Sequence, residues 1–126
     1  MMQLNLFDLL HKPAVIRPVS FEAGVIQGEA AVTLFLPHKR MAWHQAEIEL
    51  HPHTDGSWMW STSYQTSNRG SGYKVGAKWG KFAQSKEDAF FYACKEMQEQ
   101  LKAIPGHEVK LISEWLNSLS LNSLAV

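Results

Sequence analysis

The sequence predicts an α+β fold: an antiparallel meander sheet of four to five strands, followed by two C-terminal helices packed on one face. Two observations carry this prediction. Apolar and polar residues alternate with a period of two through the middle of the chain, between turn-forming residues. After Ser85 the apolar residues instead recur every three to four positions, which is typical of helices. The 126 residues, 45% of them hydrophobic, suffice for one core.

The chain divides into three expected parts. We expect an N-terminal peptide segment at residues 1–12, a single α+β domain at residues 13–120 and a loose tail at residues 121–126. The domain begins with a short extended segment between Pro13 and Pro18, where proline favours an edge strand because it cannot donate to a sheet hydrogen bond.

The next strands follow from apolar runs and the turns between them. An apolar, β-rich run from Ala31 to Leu36 ends at Pro37 and predicts a strand. If the strand after it runs antiparallel, the basic loop from Pro37 to Arg40 is a hairpin turn at one end of the sheet.

The central part of the sequence has the clearest alternation. One strand has a largely apolar side formed by Trp58, Trp60, Thr62 and Tyr64. Turn-forming residues flank it, namely Asp55-Gly56 before it and Asn68-Arg69-Gly70-Ser71-Gly72 after it. Its expected neighbours carry apolar residues at every second position, which are Ala46, Ile48 and Leu50 upstream and Tyr73, Val75, Ala77 and Trp79 downstream. Three strands in a meander follow from this pattern.

Two helices are predicted after the strands. Ser85 is the expected N-cap of the first helix, with Asp88 three residues later as in a capping box. The apolar face of this helix consists of Phe90, Ala93, Cys94, Met97 and Leu101, and the outward positions are Lys95, Glu96, Glu99 and Lys102. Ile104-Pro105-Gly106 ends it. The second helix is defined by Val109, Ile112, Trp115, Leu116 and Leu119.

The charge of the chain is balanced overall and unbalanced locally. The formal net charge is +0 and the pI is about 7.0, which argues against a protein that coats nucleic acid or membranes indiscriminately. Between Ser67 and Lys86, however, there are five cations and no acidic residue. Lysines on phosphates and aromatic rings for stacking could bind DNA or RNA there, through Arg69, Tyr73, Lys74, Lys78, Trp79 and Lys81. Alternatively, the lysines form the solvated face of a strand whose rings are core.

The N-terminal segment contains the most specific short motif. Gln3-Leu4-Asn5-Leu6-Phe7 resembles the Q-L-x-L-F peptide with which bacterial polymerases and mismatch-repair proteins bind the DNA sliding clamp, and every specified position matches. The resemblance implies that Leu6 and Phe7 fill an apolar pocket of the clamp, that Gln3 hydrogen-bonds in a neighbouring subsite and that Leu4 packs between them. It covers five residues and implies nothing about the remaining fold. Alternatively, the apolar residues of this segment form an amphipathic turn on the protein's own core.

Other functional classes find little support in the sequence. No nucleophile with a base, no carboxylate pair and no phosphate-binding glycine loop can be assembled, so we expect no enzyme and no cofactor. His51 and His53 have plausible ligand spacing, with Asp55 or His44 as a third ligand, but Pro52 disrupts the strand between them, and we expect no metal. The single cysteine excludes an internal disulfide. The sequence has no apolar run long enough to span a bilayer, and its N-terminus does not resemble a signal peptide. We therefore expect no membrane contact and a cytoplasmic location.

Two weaker resemblances concern the folded part. Lys78-Trp79-Gly80-Lys81 is loosely similar to the core of the WGR domain of DNA-repair proteins, although Lys81 stands where that family usually has arginine. A clamp-like peptide ahead of a small α+β domain is also similar to accessory proteins of phages, plasmids and integrative elements. We therefore expect a small non-enzymatic bacterial protein that binds the replication sliding clamp; the alternative is a nucleic-acid-binding module using the basic aromatic segment from Arg69 to Lys86.

Overall fold

A computed structural model describes residues 15–16, 24–67 and 69–124. The strands, in chain order, are β1 (Val15–Ile16), β2 (Val32–Pro37), β3 (His44–Pro52), β4 (Trp58–Gln65), β5 (Gly70–Gly72) and β6 (Lys81–Ala83). The helices are α1 (Lys86–Leu101) and α2 (His107–Ser118), and two 3₁₀ turns cover Ala77–Trp79 and Leu121–Leu124. This order of antiparallel strands followed by two helices confirms the predicted α+β class.

The strands form one antiparallel sheet in the order β1-β6-β4-β3-β2, and β5 pairs with the far end of β4. The register pairs Ile48 with Thr62 and Leu50 with Trp60, so the alternating residues of β3 and β4 share a face as predicted. A β-bulge between Leu36 and Pro37 interrupts the pairing of β2 with β3 near their connecting loop.

The helices cover one face of this sheet. Its buried residues from β3 and β4, including Ile48 and Leu50, join those of α1 and α2 in one core cluster. Ser85 caps α1 as predicted, because its hydroxyl accepts a hydrogen bond from the backbone N–H of Asp88 at 3.1 Å. The buried residues of the two helices are Ala89, Phe90, Ala93, Met97, Leu101, Ile112 and Leu116. The predicted apolar helix faces are therefore confirmed, with Cys94 half-buried at their margin.

The opposite face of the sheet is covered at one end by a second, smaller cluster of Met59, Val75 and Phe82. Ile26 and Ala30 pack against this cluster from the segment that precedes β2. The other end of this face, towards the loop between β2 and β3, carries exposed residues instead.

The predicted strand over Tyr73 to Trp79 is wrong. Between Arg69 and Gly80 the chain pairs with β4 only at β5, and the segment Ala77–Trp79 is a 3₁₀ turn. Two local contacts explain the difference: Gly76 lies against the backbone of Val25 in an isolated bridge, and Gly80 takes φ 68°, which ends the turn. The glycines allow this path, and apolar alternation alone did not fix the register.

Two further expectations differ from the structure. Glu96 was predicted to face outward from α1, but its carboxylate lies against β4, where polar side-chain tips need an acceptor. The loose tail expected at residues 121–126 is not loose over its described part, because Leu121–Leu124 forms a 3₁₀ turn and Leu124 is buried in the main core.

Candidate functional site

Trp79 is the most exposed aromatic residue of the predicted nucleic-acid-binding segment. Its indole Nε1–H donates a hydrogen bond to the backbone carbonyl of Lys74 at 2.7 Å, and the ring of Tyr73 packs against it with centroids 4.9 Å apart. The ammonium group of Lys78 lies 5.0 Å from the ring centroid. The indole is therefore held in a fixed orientation while 37% of the residue remains exposed.

Tyr73 packs against this ring, but its hydroxyl and Lys81 belong to a different arrangement, centred on Glu96 of α1. The Glu96 carboxylate accepts hydrogen bonds from Lys81 Nζ at 2.6 Å and from the Tyr73 hydroxyl at 2.7 Å. On β4, Trp60 Nε1 donates to it at 3.2 Å and the Thr62 hydroxyl at 2.5 Å. Four donors from three parts of the chain thus converge on one carboxylate.

The electrostatics of this cluster follow from burial and hydrogen bonding. Burial alone would raise the pKa of the Glu96 carboxyl group, but hydrogen bonds from Lys81, Thr62 and Tyr73 and the charge of Lys81 outweigh it and lower the pKa below its usual value. Burial and the adjacent Glu96 carboxylate raise the pKa of the Tyr73 phenol above its usual value. Glu96 is therefore held as an anion and Tyr73 as a neutral donor, which suits a structural anchor rather than a proton-transfer pair.

The six residues predicted to bind nucleic acid therefore separate into two groups and one residue, Arg69, that belongs to neither. Tyr73 and Lys81 are engaged with Glu96, and the charge of Lys81 is balanced there. Lys74, Lys78 and Trp79 lie together at the surface, and all three are exposed. Arg69 is exposed in the turn before β5, where its backbone carbonyl accepts from the Thr66 hydroxyl.

The histidines considered as metal ligands have other contacts. His51 Nδ1 accepts a hydrogen bond from the backbone N–H of Ala31 at 3.1 Å, and the ring of His53 packs edge-on against Phe82 with centroids 5.2 Å apart. His44 Nδ1 lies 2.7 Å from a carboxylate oxygen of Glu47. Within the described ranges, no three histidine, cysteine or acidic residues are grouped as a metal site would need.

The loop between β2 and β3 presents a surface that the sequence analysis did not single out. Met41 and Trp43 in this loop and Phe35 in the preceding strand β2 are exposed, and Trp43 also lines a concave region formed by the ends of β3, β4 and β5. Phe35 stacks on His44 with centroids 4.1 Å apart. The sequence feature that could have indicated this surface is Trp43, which follows the Lys39-Arg40 pair in a loop where no large apolar residue is needed.

The predicted clamp-binding residues Gln3, Leu4, Leu6 and Phe7 lie outside the described residues, ahead of β1. Over the part of the chain that the structure describes, no helix combines the length and apolarity needed to cross a membrane. Comparison with protein-family models, with curated proteins and with solved structures gives no match in any of the three.

Proposed function

We propose that this protein is a small, non-enzymatic, cytoplasmic bacterial binding protein, of the kind carried by phages or plasmids, which docks on the DNA replication sliding clamp. The observation that carries the proposal is the match of Gln3-Leu4-Asn5-Leu6-Phe7 to every specified position of the clamp-binding peptide. Leu6 and Phe7 enter the apolar pocket of the clamp, and Gln3 hydrogen-bonds beside it.

The expected strength of this contact is moderate. Burying Leu6 and Phe7 contributes roughly 2 kcal/mol each. With the hydrogen bonds of Gln3 and the packing of Leu4, a short peptide of this kind typically reaches micromolar affinity, about −8 kcal/mol. Ordering the peptide on the clamp opposes binding, so tighter association needs a second contact from the folded domain.

Titration against purified bacterial sliding clamp tests the proposal, with wild-type protein and the double variant Leu6→Ala/Phe7→Ala. We expect micromolar binding by wild type and its loss in the variant, with unchanged thermal unfolding. The double variant Leu9→Ala/Leu10→Ala is a matched control, because it removes two leucines of the same segment outside the motif. Equal binding by all three proteins would refute docking through this motif, and no binding by folded wild type would refute clamp docking altogether. Unfolding by Leu6→Ala/Phe7→Ala would assign these side chains to the core.

The second candidate function is nucleic-acid binding at the surface formed by Lys74, Lys78 and Trp79. An indole in a fixed orientation loses little conformational entropy when a base stacks on it, and two exposed lysines beside it can contact phosphates. Arg69 extends the positive charge along the same acid-free segment. The Tyr73 hydroxyl and the Lys81 ammonium group hydrogen-bond to Glu96, so these two residues are not expected to contact the ligand.

This second candidate is tested with fluorescein-labelled (dT)20 and a 20-bp duplex at two salt concentrations. Lys74→Glu/Lys78→Glu is expected to remove the binding that this surface contributes. Lys95→Glu/Lys110→Glu changes the net charge equally at exposed positions of α1 and α2 and is expected to retain most of it. If both variants lost similar amounts of nucleic-acid affinity, binding would depend on net charge alone, and nucleic-acid binding at the Trp79 surface would be refuted.

A further inference from the structure

A second exposed aromatic surface lies at the β2–β3 hairpin, remote in sequence from Trp79. Among the described residues five large hydrophobic side chains are exposed, and three of them lie in this hairpin: Phe35 at 48%, Met41 at 49% and Trp43 at 52%. These three exposed apolar side chains fall within nine residues of one hairpin, and Phe35 stacks on His44, the residue next to Trp43. We take this as an interaction surface.

The surface borders a polar depression, which restricts what it can bind. Trp43 forms one wall of a concave region with a volume of about 850 Å³, whose polar lining includes Ser63, Gln65 and Ser71. Gly72 contributes no side chain to the lining of this region. A larger residue would not fit at this position, because its Cβ would lie 2.5 Å from the Cβ of Ser63. An aromatic wall beside hydroxyl and amide groups can stack a flat ring and hydrogen-bond to its edges. A loop that inserts into a membrane would not need such polar groups.

Exposed cations lie close in sequence to two parts of the lining of this depression. Lys39 and Arg40 are exposed in the loop that carries Trp43, and Arg69 directly precedes the glycine that begins β5. No acidic residue occurs from Ala30 to Ala46. The lining also contains one acidic residue, Glu47, whose carboxylate lies 2.7 Å from His44 Nδ1. Lys39, Arg40 and Arg69 outnumber it, so the nearby charge favours an anionic ligand.

We propose that this hairpin surface binds single-stranded nucleic acid. A base stacks on Trp43 with its edge towards Ser63 and Gln65, while Lys39, Arg40 and Arg69 contact the flanking phosphates. Single strands fit better than a duplex, because a base must leave its stack to enter the depression. This site does not include Trp79, Lys74 or Lys78, and it does not depend on clamp docking.

Binding of fluorescein-labelled (dT)20 to the full chain tests this proposal at several salt concentrations. Trp43→Ala is expected to weaken binding at least about fivefold, as loss of one stacked base does, and Trp43→Phe to restore most of it. Lys39→Ala/Arg40→Ala is expected to lower the slope of log K against log salt concentration by about 1.4, for two phosphate contacts on a single strand. Leu121→Ala is the matched control, since Leu121 is also an exposed apolar residue, at 44%, in the C-terminal 3₁₀ turn.

The outcomes separate this site from its alternatives. Unchanged (dT)20 binding in Trp43→Ala would overturn the proposal, and so would absence of binding by wild type. Loss on Trp79→Ala but not on Trp43→Ala would overturn it while leaving the second candidate function intact. Duplex bound as tightly as (dT)20, or phosphatidylserine vesicles bound through Trp43 without (dT)20 binding, would also overturn it. None of these results bears on the sliding-clamp titration.

Discussion

Replacing Glu96 should destabilise the domain more than any other exchange of a charged residue on α1. In Glu96→Ala, the Trp60 indole, the Thr62 and Tyr73 hydroxyls and the Lys81 ammonium lose their shared acceptor. In Glu96→Gln, the amide oxygen can still accept from Lys81. The amide N–H groups can donate to the hydroxyls of Thr62 and Tyr73, but these hydroxyls lose the oxygen that accepted their own hydrogen bonds, and the negative charge is lost as well.

The size of each effect follows from exposure. The side chains of Glu96 and Lys81 are 18% and 28% exposed, so Lys81 can partly rehydrate when its partner is removed. Removing one member of a fully buried pair costs about 3–5 kcal/mol, and we expect the lower end, about 3 kcal/mol, for Glu96→Ala. Glu96→Gln should cost about 1.5–2 kcal/mol, the lower end of the net contribution of a hydrogen bond to a charged group.

Urea unfolding followed by tryptophan fluorescence and circular dichroism measures these free energies. Glu99→Ala is the control on the same helix, because Glu99 pairs with Lys102 at 2.9 Å and both are largely exposed. That exchange should leave the midpoint unchanged within error. A free-energy loss below about 1 kcal/mol for Glu96→Ala would contradict the argument that the four donors depend on this carboxylate.

Three other predictions concern pH, a close backbone contact and thiol chemistry. The folded-state pKa of Glu96 lies below its unfolded value, so the stabilisation by this carboxylate is fully present above about pH 4.5 and is lost as pH falls through the folded pKa. The difference in unfolding free energy between wild type and Glu96→Gln should therefore shrink in that pH range. A difference that stays constant with pH would contradict this. Gly76→Ala should lower the free energy of unfolding in urea by about 2 kcal/mol or more, because the added Cβ would overlap the backbone of Gly24 and Val25. Gly24→Ala is the control: a Cβ there meets nothing within 4 Å, so the free energy of unfolding should not change. Burial raises the pKa of the Cys94 thiol to about 12, so an aromatic disulfide reagent at pH 8 should label the native protein far more slowly than the urea-unfolded chain; equal rates would refute this.

The predictable part of the fold depended on local periodicity and capping. The alternation of β3 and β4 and the Ser85 cap are properties of short stretches, and the structure contains both. Glu96 could not be placed from the helix pattern alone, because a glutamate at the margin of an apolar face can point either way. Thr62 was the overlooked signal, since a hydroxyl on the apolar side of a strand beneath a helix needs an acceptor.

Glycines caused the largest error in the candidate site. Gly76, where a Cβ would overlap the backbone of Gly24 and Val25, and Gly80, with φ 68°, allow the chain to leave the sheet after β5 and to return at β6, a path that apolar alternation cannot reveal. Its consequence for function is direct: Trp79 lies on a 3₁₀ turn rather than a strand, and Lys81 points towards Glu96 instead of solvent. The hairpin surface at Trp43 was overlooked because the sequence alone does not show whether a tryptophan is buried in the core or exposed to solvent.

Clamp docking and nucleic-acid binding, if both occur, should reinforce each other. A sliding clamp loaded on DNA places any protein docked on it near the strand, at an effective concentration on the order of 1 mM for a short flexible connection. A nucleic-acid contact with Kd of about 100 μM would then tighten the complex roughly tenfold without any new interface. We therefore expect wild type to bind DNA-loaded clamp about ten times more tightly than free clamp at low salt.

That ratio identifies the contributing surface. Lys74→Glu/Lys78→Glu should reduce the ratio to one if the Trp79 surface supplies the second contact, and Lys39→Ala/Arg40→Ala should do so if the hairpin surface supplies it. Leu6→Ala/Phe7→Ala should weaken binding to both forms of the clamp, because the tether itself is lost. Equal wild-type affinity for free and DNA-loaded clamp at 50 mM and 200 mM salt would show that the folded domain has no nucleic-acid contact within its reach, since screening cannot conceal one at the lower concentration.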